Sequence, residues 1–337
     1  MSDPILVVGA PGSPYTRKML SVLRYRRLPY RFVSDSRIAQ SLPQPRVRLL
    51  PIFYLADGDE LLPVTDSTPI IRRLDAQFQS RPISPADPAL AFLDALIEDY
   101  ADEWVTKAMF HYRWVFPADI RKSSTILPNW FGPPLDDELL ALTGDAFAER
   151  QIGRLSYVGS NAVTAPVIES SFVRLVDLIE DHLKGHEYMF GGRPTAADFA
   201  LYGQFTQLAL FDPTPMAIVD DRAPRLVAWT IAMEDRSGVE DSALMRIDAL
   251  PSSINALLAE IGRTYAPLLL ANAQAIAAGH DIVRTKIDGC SWEQPTFPYH
   301  VKCLDILRAH YDALPPEARM GIDALLSGTG CASLFAH

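Results

Sequence analysis

Residues 12–18 read Gly-Ser-Pro-Tyr-Thr-Arg-Lys, and their types and order suit the stabilisation of an anion. Ser13 stands where a helix N-cap belongs, and Pro14 takes the first helical position with its φ already fixed. From Tyr15 to Arg26 apolar residues recur at helical spacing. A hydroxyl at that point shares the helix end with free backbone N–H groups and the positive end of the helix dipole, and both favour negative charge. The alternative is that Ser13-Pro14 only caps the helix. Two further pairs accompany it. Leu50-Pro51 precedes an apolar run, and Asp66-Ser67 opens another helix. Each has a plain structural reading too, a trans proline at a strand start and an ordinary capping pair.

The elements that must carry these residues follow from patterning. Ile5 to Val8 is a continuous β-branched run, which predicts a buried strand directly before the Ser13 helix. Ile52–Leu55 and Leu61–Val64 flank Asp57-Gly58, a strong signal for a hairpin. Ile70, Ile71 and Leu74 form the apolar face of the helix begun at Asp66-Ser67. With a short strand before the linker, the order is β, α, β, linker, β, β, α.

That order, with a proline opening the third strand, resembles the thioredoxin-like domain of the glutathione transferases. In that family a Ser-Pro-aromatic sequence at the first helix, a cis proline before strand three and an acidic residue followed by Ser at the last helix form the glutathione site. The resemblance therefore implies glutathione as co-substrate, bound by Ser13, Leu50, Pro51, Asp66 and Ser67. A cis bond at Pro51 would turn the Leu50 N–H and C=O outward to pair with the tripeptide as an added strand. Asp66 would take the ammonium, and Ser67 would donate to the γ-glutamyl carboxylate. Ser13 would be catalytic. Relatives that exchange thiols carry Cys at the first helix, but Cys290, Cys303 and Cys331 all lie in the last fifth of this chain. A hydroxyl forms no mixed disulfide, yet it can donate to a thiolate and lower the pKa of a bound thiol. Between Phe32 and Leu49, where relatives supply donors to the glycine carboxylate, stand Arg37, Gln44, Arg46 and Arg48.

Composition narrows the other classes. Of 337 residues 48% are hydrophobic and 21% charged, with a formal net charge of −10. An acidic chain without a clustered basic patch argues against nucleic acid as partner. No apolar stretch reaches the length of roughly 20 residues that spans a bilayer, so no membrane is expected. The first residues show no basic segment followed by an apolar core, and the expected location is cytoplasmic. The odd count of three cysteines describes no disulfide framework, and their spacing fits no metal site.

A proline-rich stretch from Arg81 to Pro88 separates a second region. One long helix is predicted over Ala89 to Phe116, ended by Pro117, and another over Val163 to Leu183. Thr195 with Asp198 three residues on is a variant of the capping box. It also resembles the motif inside the helical domain of glutathione transferases, where the aspartate serves folding. Tyr100, Trp104, Ala108 and His111 fall on one helical face. The resemblance would make Trp104, Ala108 and His111, with Tyr15, the electrophile pocket. The alternative is that this face packs in the helical core with His111 partly exposed, and Tyr15 is open to either reading. Glu98, Asp99, Asp102 and Glu103 read as a solvated face, although in dimeric relatives this helix also forms the subunit interface.

The resemblance stops before the last hundred or so residues, which are longer than the usual two domains. They predict a helix over Leu250 to Ala278, a hairpin over Ile282 to Gln294 around Asp288-Gly289, and helices over Tyr299 to Leu314 and Pro316 to Leu326. The segment Trp292 to Tyr299 either caps the cleft or covers apolar surface of the helical domain. The expected architecture is a thioredoxin-like α/β domain (1–80), an all-α glutathione transferase C-terminal domain (86–238) and an α/β-hairpin extension (239–337). The expected activity is a glutathione transferase that activates glutathione as thiolate for attack on a hydrophobic electrophile. Alternatives are a non-catalytic glutathione-binding or assembly module of the same fold, and a glutathione-dependent peroxidase. A homodimer is implied by the family alone.

Overall fold

A computed structural model describes residues 4–58 and 60–336. The first layer comprises β1 (Ile5–Val8), α1 (Pro14–Tyr25), β2 (Tyr30–Val33), α2 (Ser36–Gln40), β3 (Ile52–Asp57), β4 (Glu60–Val64) and α3 (Ser67–Gln77). The sheet order is β2-β1-β3-β4. Val7 sits opposite Phe32 in the parallel pair β1–β2 and opposite Phe53 in the antiparallel pair β1–β3. A mixed sheet results because the α1 crossover returns the chain parallel, whereas the β3–β4 hairpin reverses it. Asp57 pairs with Glu60, so the expected hairpin forms, with Asp57 as the last residue of β3 rather than in the turn. Residue 59 lies outside the described residues, as does the side chain of Asp57. This is the thioredoxin-like N-terminal domain that the strand order implies.

The helical domain opens with α4 (Pro88–Tyr100), whose N-cap Asp87 accepts from the Leu90 N–H at 2.9 Å. The single helix expected over 89–116 is broken by a π-helical turn at Ala101–Val105 before α5 (Thr106–Val115). A competing donor explains the break, since the Tyr15 hydroxyl donates to the Asp102 main-chain carbonyl at 2.6 Å, within the helical ladder. There follow α6 (Pro117–Ile126), α7 (Asp137–Ile152), α8 (Ala165–His182), α9 (Ala196–Leu208), α10 (Pro213–Arg222) and α11 (Pro224–Ala232). Helix α9 is buried on every side, as expected of a helix at the centre of a core. Its start carries the anticipated capping box, with Asp198 accepting from the Thr195 and Met189 N–H groups at 2.9 Å each. At Gly203 this helix meets the beginning of α1 so closely that a Cβ would lie 2.6 Å from the Pro14 carbonyl oxygen. Glycine there lets α9 support the turn that carries Ser13.

The remaining region comprises α12 (Ser252–Ala277), β5 (Ile282–Ile287), β6 (Cys290–Pro295), α13 (Pro298–Asp312) and α14 (Pro316–Leu326). The hairpin turn has φ of 52° at Asp288 and 75° at Gly289, the two consecutive positive values that make Asp-Gly a tight-hairpin pair. This region packs along α4 and α5. The Trp292 and Trp104 rings lie 5.4 Å apart, and Phe92 meets Phe335 at 5.2 Å and Tyr311 at 5.8 Å. The Tyr265 hydroxyl donates to Asp99 at 2.7 Å.

Candidate functional site

A cavity of about 530 Å³ opens where the sheet domain, the α4–α5 segment and the C-terminal region meet. Tyr15, Leu50, Asp66 and Ser67 line its first wall, so four residues separated by up to 52 positions converge. The Leu50–Pro51 bond is cis. Ser13 is the N-cap of α1, its hydroxyl accepting from the Thr16 N–H at 3.3 Å. The loop holding it is fixed from behind. Arg113 donates to the Gly12 carbonyl at 2.9 Å while its other nitrogens engage Asp212 and Gln207 at 2.7–3.1 Å. Nothing in the local pattern of the sequence identifies Arg113. Only the tertiary approach of α5 to residue 12 gives it this role.

Asp66 is not an ordinary cap. It has φ of 79° and makes no side-chain cap bond, a sparsely populated backbone state for a non-glycine residue. Its carboxylate instead accepts from the Tyr299 hydroxyl at 2.8 Å and faces the Lys302 ammonium at 3.6 Å. Next to it, the Ser67 hydroxyl accepts from Lys18 at 3.1 Å and lies 3.4 Å from the Asp102 carboxylate. Lys18 is the organising cation here, pairing also with Glu98 at 2.7 Å and Asp102 at 2.6 Å. Burial disfavours its charge, but the two carboxylates outweigh that effect and its pKa rises. A lysine three residues after Tyr15 and four before Val22 falls on the buried face of α1, and that placement was the available sequence signal.

The second wall corrects the expectation of a solvated acidic face. Asp99, Asp102, Glu103 and Lys107 line the cavity, and Glu98, Asp102 and Lys107 are buried. Their charges are offset from an element distant in sequence, by Lys18 on α1, and the His300 ring of α13 lies 3.3 Å from Glu103. Burial, opposed by Lys18, lifts the Asp102 carboxyl to about 7. Burial, opposed by Lys107, lifts Glu103 to about 7. The Lys107 ammonium donates to the Val158 carbonyl at 3.1 Å and is brought down to about 8 by burial. His300 is held well below its ordinary value by burial and then by Lys107, and it is therefore neutral at pH 7.

Trp104, Ala108 and His111 are not brought to this cavity. Trp104 packs against Trp292 with the rings tilted and donates to Ser171 at 3.2 Å. Ala108 is packed in the core. His111 is fully rather than partly buried, between the Ser160 hydroxyl at 2.8 Å and Glu169 at 3.2 Å. The neighbouring face of the helix, residues 99, 102, 103, 106 and 107, supplies the wall in their place. Tyr15 does reach the cavity, with its hydroxyl already committed to the Asp102 carbonyl. The third wall, Phe297, Tyr299 and His300, comes from the C-terminal region. That wall is anchored by Asn272, which accepts from the Phe297 N–H at 2.8 Å and donates to its carbonyl at 3.0 Å. The segment thus both covers the helical domain and closes one side of the cleft. Among the described residues no group of three or more His, Cys, Asp or Glu is arranged to hold a metal ion, and no helix is long and apolar enough to cross a membrane.

Residues 7–82 match the family model of the glutathione S-transferase N-terminal domain, and residues 145–232 match that of the C-terminal domain. No curated protein matches the chain in sequence. Solved structures similar to it include the tau-class glutathione S-transferase MiGSTU of mango, Mangifera indica. That structure is 15% identical over 72% of this chain and 94% of its own, with a TM-score of 0.42. A glutathione transferase family member of Pseudomonas fluorescens Pf-5, solved with two glutathione bound, is 16% identical over 69% and 93%, with a TM-score of 0.42. FzlA of C. crescentus is 14% identical over 68% and 87%, with a TM-score of 0.41. With the two domain models matched in order along one polypeptide, the chain belongs to the glutathione S-transferase family.

Proposed function

We propose that this protein is a glutathione transferase acting in the cytoplasm, with glutathione in the cavity where Leu50, Asp66 and Ser67 converge. That convergence is the observation that carries the reading. The tripeptide lies along the Leu50 main chain, its ammonium faces Asp66, and its γ-glutamyl carboxylate takes the α3 N-terminus with Ser67. Arg37 is held by Asp35, and Gln44 donates to the Ala39 and Leu42 carbonyls. This leaves Arg46 and Arg48, either side of the wall residue Val47, for the glycine carboxylate. Ser13, at the α1 N-terminus, donates to the sulfur and favours the thiolate, which attacks an electrophilic carbon. Because Glu103, Lys107 and His300 face the same space as Tyr157 and Phe297, the acceptor is amphipathic rather than purely hydrophobic.

A specific observation favours a second reading, a glutathione-binding module without turnover. Asp66 already has Tyr299 and Lys302 as partners, and Ser67 has Lys18. The test is a pH titration of the thiolate absorbance of glutathione with and without the protein. A bound thiol titrating below its free value of about 8.5 is expected, and Ser13→Ala should return it toward that value and lower turnover by roughly 10²-fold or more. No shifted thiolate at saturating glutathione would overturn the transferase reading in favour of the module.

A further inference from the structure

A second cavity, of about 350 Å³, lies on the other side of α4, between α3, α4 and α13. It is separate from the first, and Thr68 is the residue that borders both. Its body is apolar. Ile71 and Phe92, 2% and 1% exposed, form the floor, Leu314 closes one side, and the alanines at 91, 95 and 313 leave the space open.

Four charged or titratable groups border it, and three carry no net positive charge at neutral pH. Glu98 is paired with Lys18 at 2.7 Å and accepts from the Thr68 hydroxyl at 3.1 Å. Asp94 is buried, accepts from the Ala197 N–H at 2.8 Å and is pushed up to about 8 by burial, which leaves it largely uncharged at pH 7. His310 is lowered by burial and then by the neighbouring Arg72, and it stays a neutral imidazole with a ring N–H to offer. Arg72, on α3, makes no hydrogen bond or ion pair among the described residues. An exposed arginine beside an imidazole, neither with a hydrogen-bond partner among the described residues, at the edge of an apolar space of this size, has the makings of a small-ligand site.

We propose that this cavity binds a small carboxylate with an apolar body, of the medium-chain fatty acid or arylcarboxylate class. The carboxylate sits on Arg72 and His310, and the apolar body lies against Ile71, Phe92 and Leu314. The carboxylate supplies the planar acceptor that the guanidinium lacks, and the body fills a space that water would occupy poorly between apolar walls.

The full chain is titrated with octanoate by calorimetry, in the presence of saturating glutathione so that the first cavity is filled. Octan-1-ol and acetate serve as probes lacking the charge and the chain. Octanoate should bind, and each control should bind at least tenfold more weakly. Arg72→Gln should weaken octanoate roughly tenfold or more, because a charge-assisted hydrogen bond is lost. Ala95→Leu, which fills the space, should abolish binding. Should that variant fail to fold, Arg72→Gln decides, since the Arg72 side chain is exposed. The proposal is overturned if octanoate does not bind, if octan-1-ol binds as well, or if Arg72→Gln leaves the affinity unchanged.

Discussion

Tyr299 and Asp66 lie 233 positions apart in the chain, yet their hydrogen bond, with the Lys302 ion pair, brings the C-terminal region against the glutathione half of the cavity. A carboxylate that accepts a phenolic proton on one oxygen has less to offer an ammonium, and the Lys302 charge 3.6 Å away opposes that ammonium further. Under the proposed binding mode the two groups compete with the ligand. Tyr299→Phe removes one competitor while keeping the ring against the cavity. We expect glutathione to bind more tightly by about 1 kcal/mol, or about fivefold, the ordinary net value of a hydrogen bond. Titration of the variant with glutathione checks it. A weaker complex would mean that Tyr299 orients Asp66 for the ligand instead of contesting it. Lys18 shows the same economy at a single position, since one buried ammonium compensates Glu98 and Asp102 and positions the Ser67 hydroxyl.

At the scale of elements, the α4–π–α5 segment sets the pH response. Asp94 and Asp99 are each raised to about 8, chiefly by burial, with Glu103 adding to the rise at Asp99. A carboxyl raised above its ordinary 3.8 binds its proton more tightly in the folded chain than in the unfolded one. The stability that this contributes is full below pH 4 and is lost as pH rises toward 8. Lys107, brought down to about 8, has the opposite effect only above that value, and the lowered His111 and His300 oppose the fall only below their ordinary 6.5, where the raised carboxyls Asp94, Asp99, Asp102 and Glu103 outnumber them. Melting temperature should therefore fall between pH 5 and 8, by at most about 1.4 kcal/mol of stability per pH unit for each proton involved. In Asp99→Asn the amide oxygen still accepts from Tyr265 and the titration is gone, so thermal melts across that range should show a shallower slope. A slope equal to the parent's would place the pH dependence elsewhere. Local signals announced many of these elements. The Asp57-Gly58 and Asp288-Gly289 hairpins and the Thr195–Asp198 capping box stand where turn and capping signals place them, whereas α3 begins after Asp66 without a side-chain cap bond. The π-helical turn was not legible, because its cause is a tyrosine hydroxyl from a helix 87 positions earlier. The burial of Asp99, Asp102 and Glu103 was not legible either. Four acidic residues within six positions look solvated until Lys18, Lys107 and His300 are brought against them.

For the molecule as a whole, the C-terminal region changes what α4 can do. That helix is buried at nine of its thirteen positions, and its outer side is occupied within the same chain. Phe92 packs against Tyr311 and Phe335, Asp99 accepts from Tyr265, and His310 and Leu314 face α3 across the second cavity. In dimeric relatives the corresponding helix meets a second subunit, and the family resemblance implied a homodimer here. A surface already covered by α13 and α14 leaves no such face to a partner without expelling buried aromatic side chains, each worth several kcal/mol of burial. We therefore expect a single chain of 37.3 kDa in solution, measured by light scattering across a concentration series. A constant mass of twice that value would show that two copies pair through some other surface. Exposed apolar residues at Leu139, Leu142 and Ile152 on α7 would then be the first place to look. A charged substitution at Leu142, the most exposed of the three at 63%, should dissociate such a pair and leave a monomer unaffected, because it touches neither α4 nor the cavity walls.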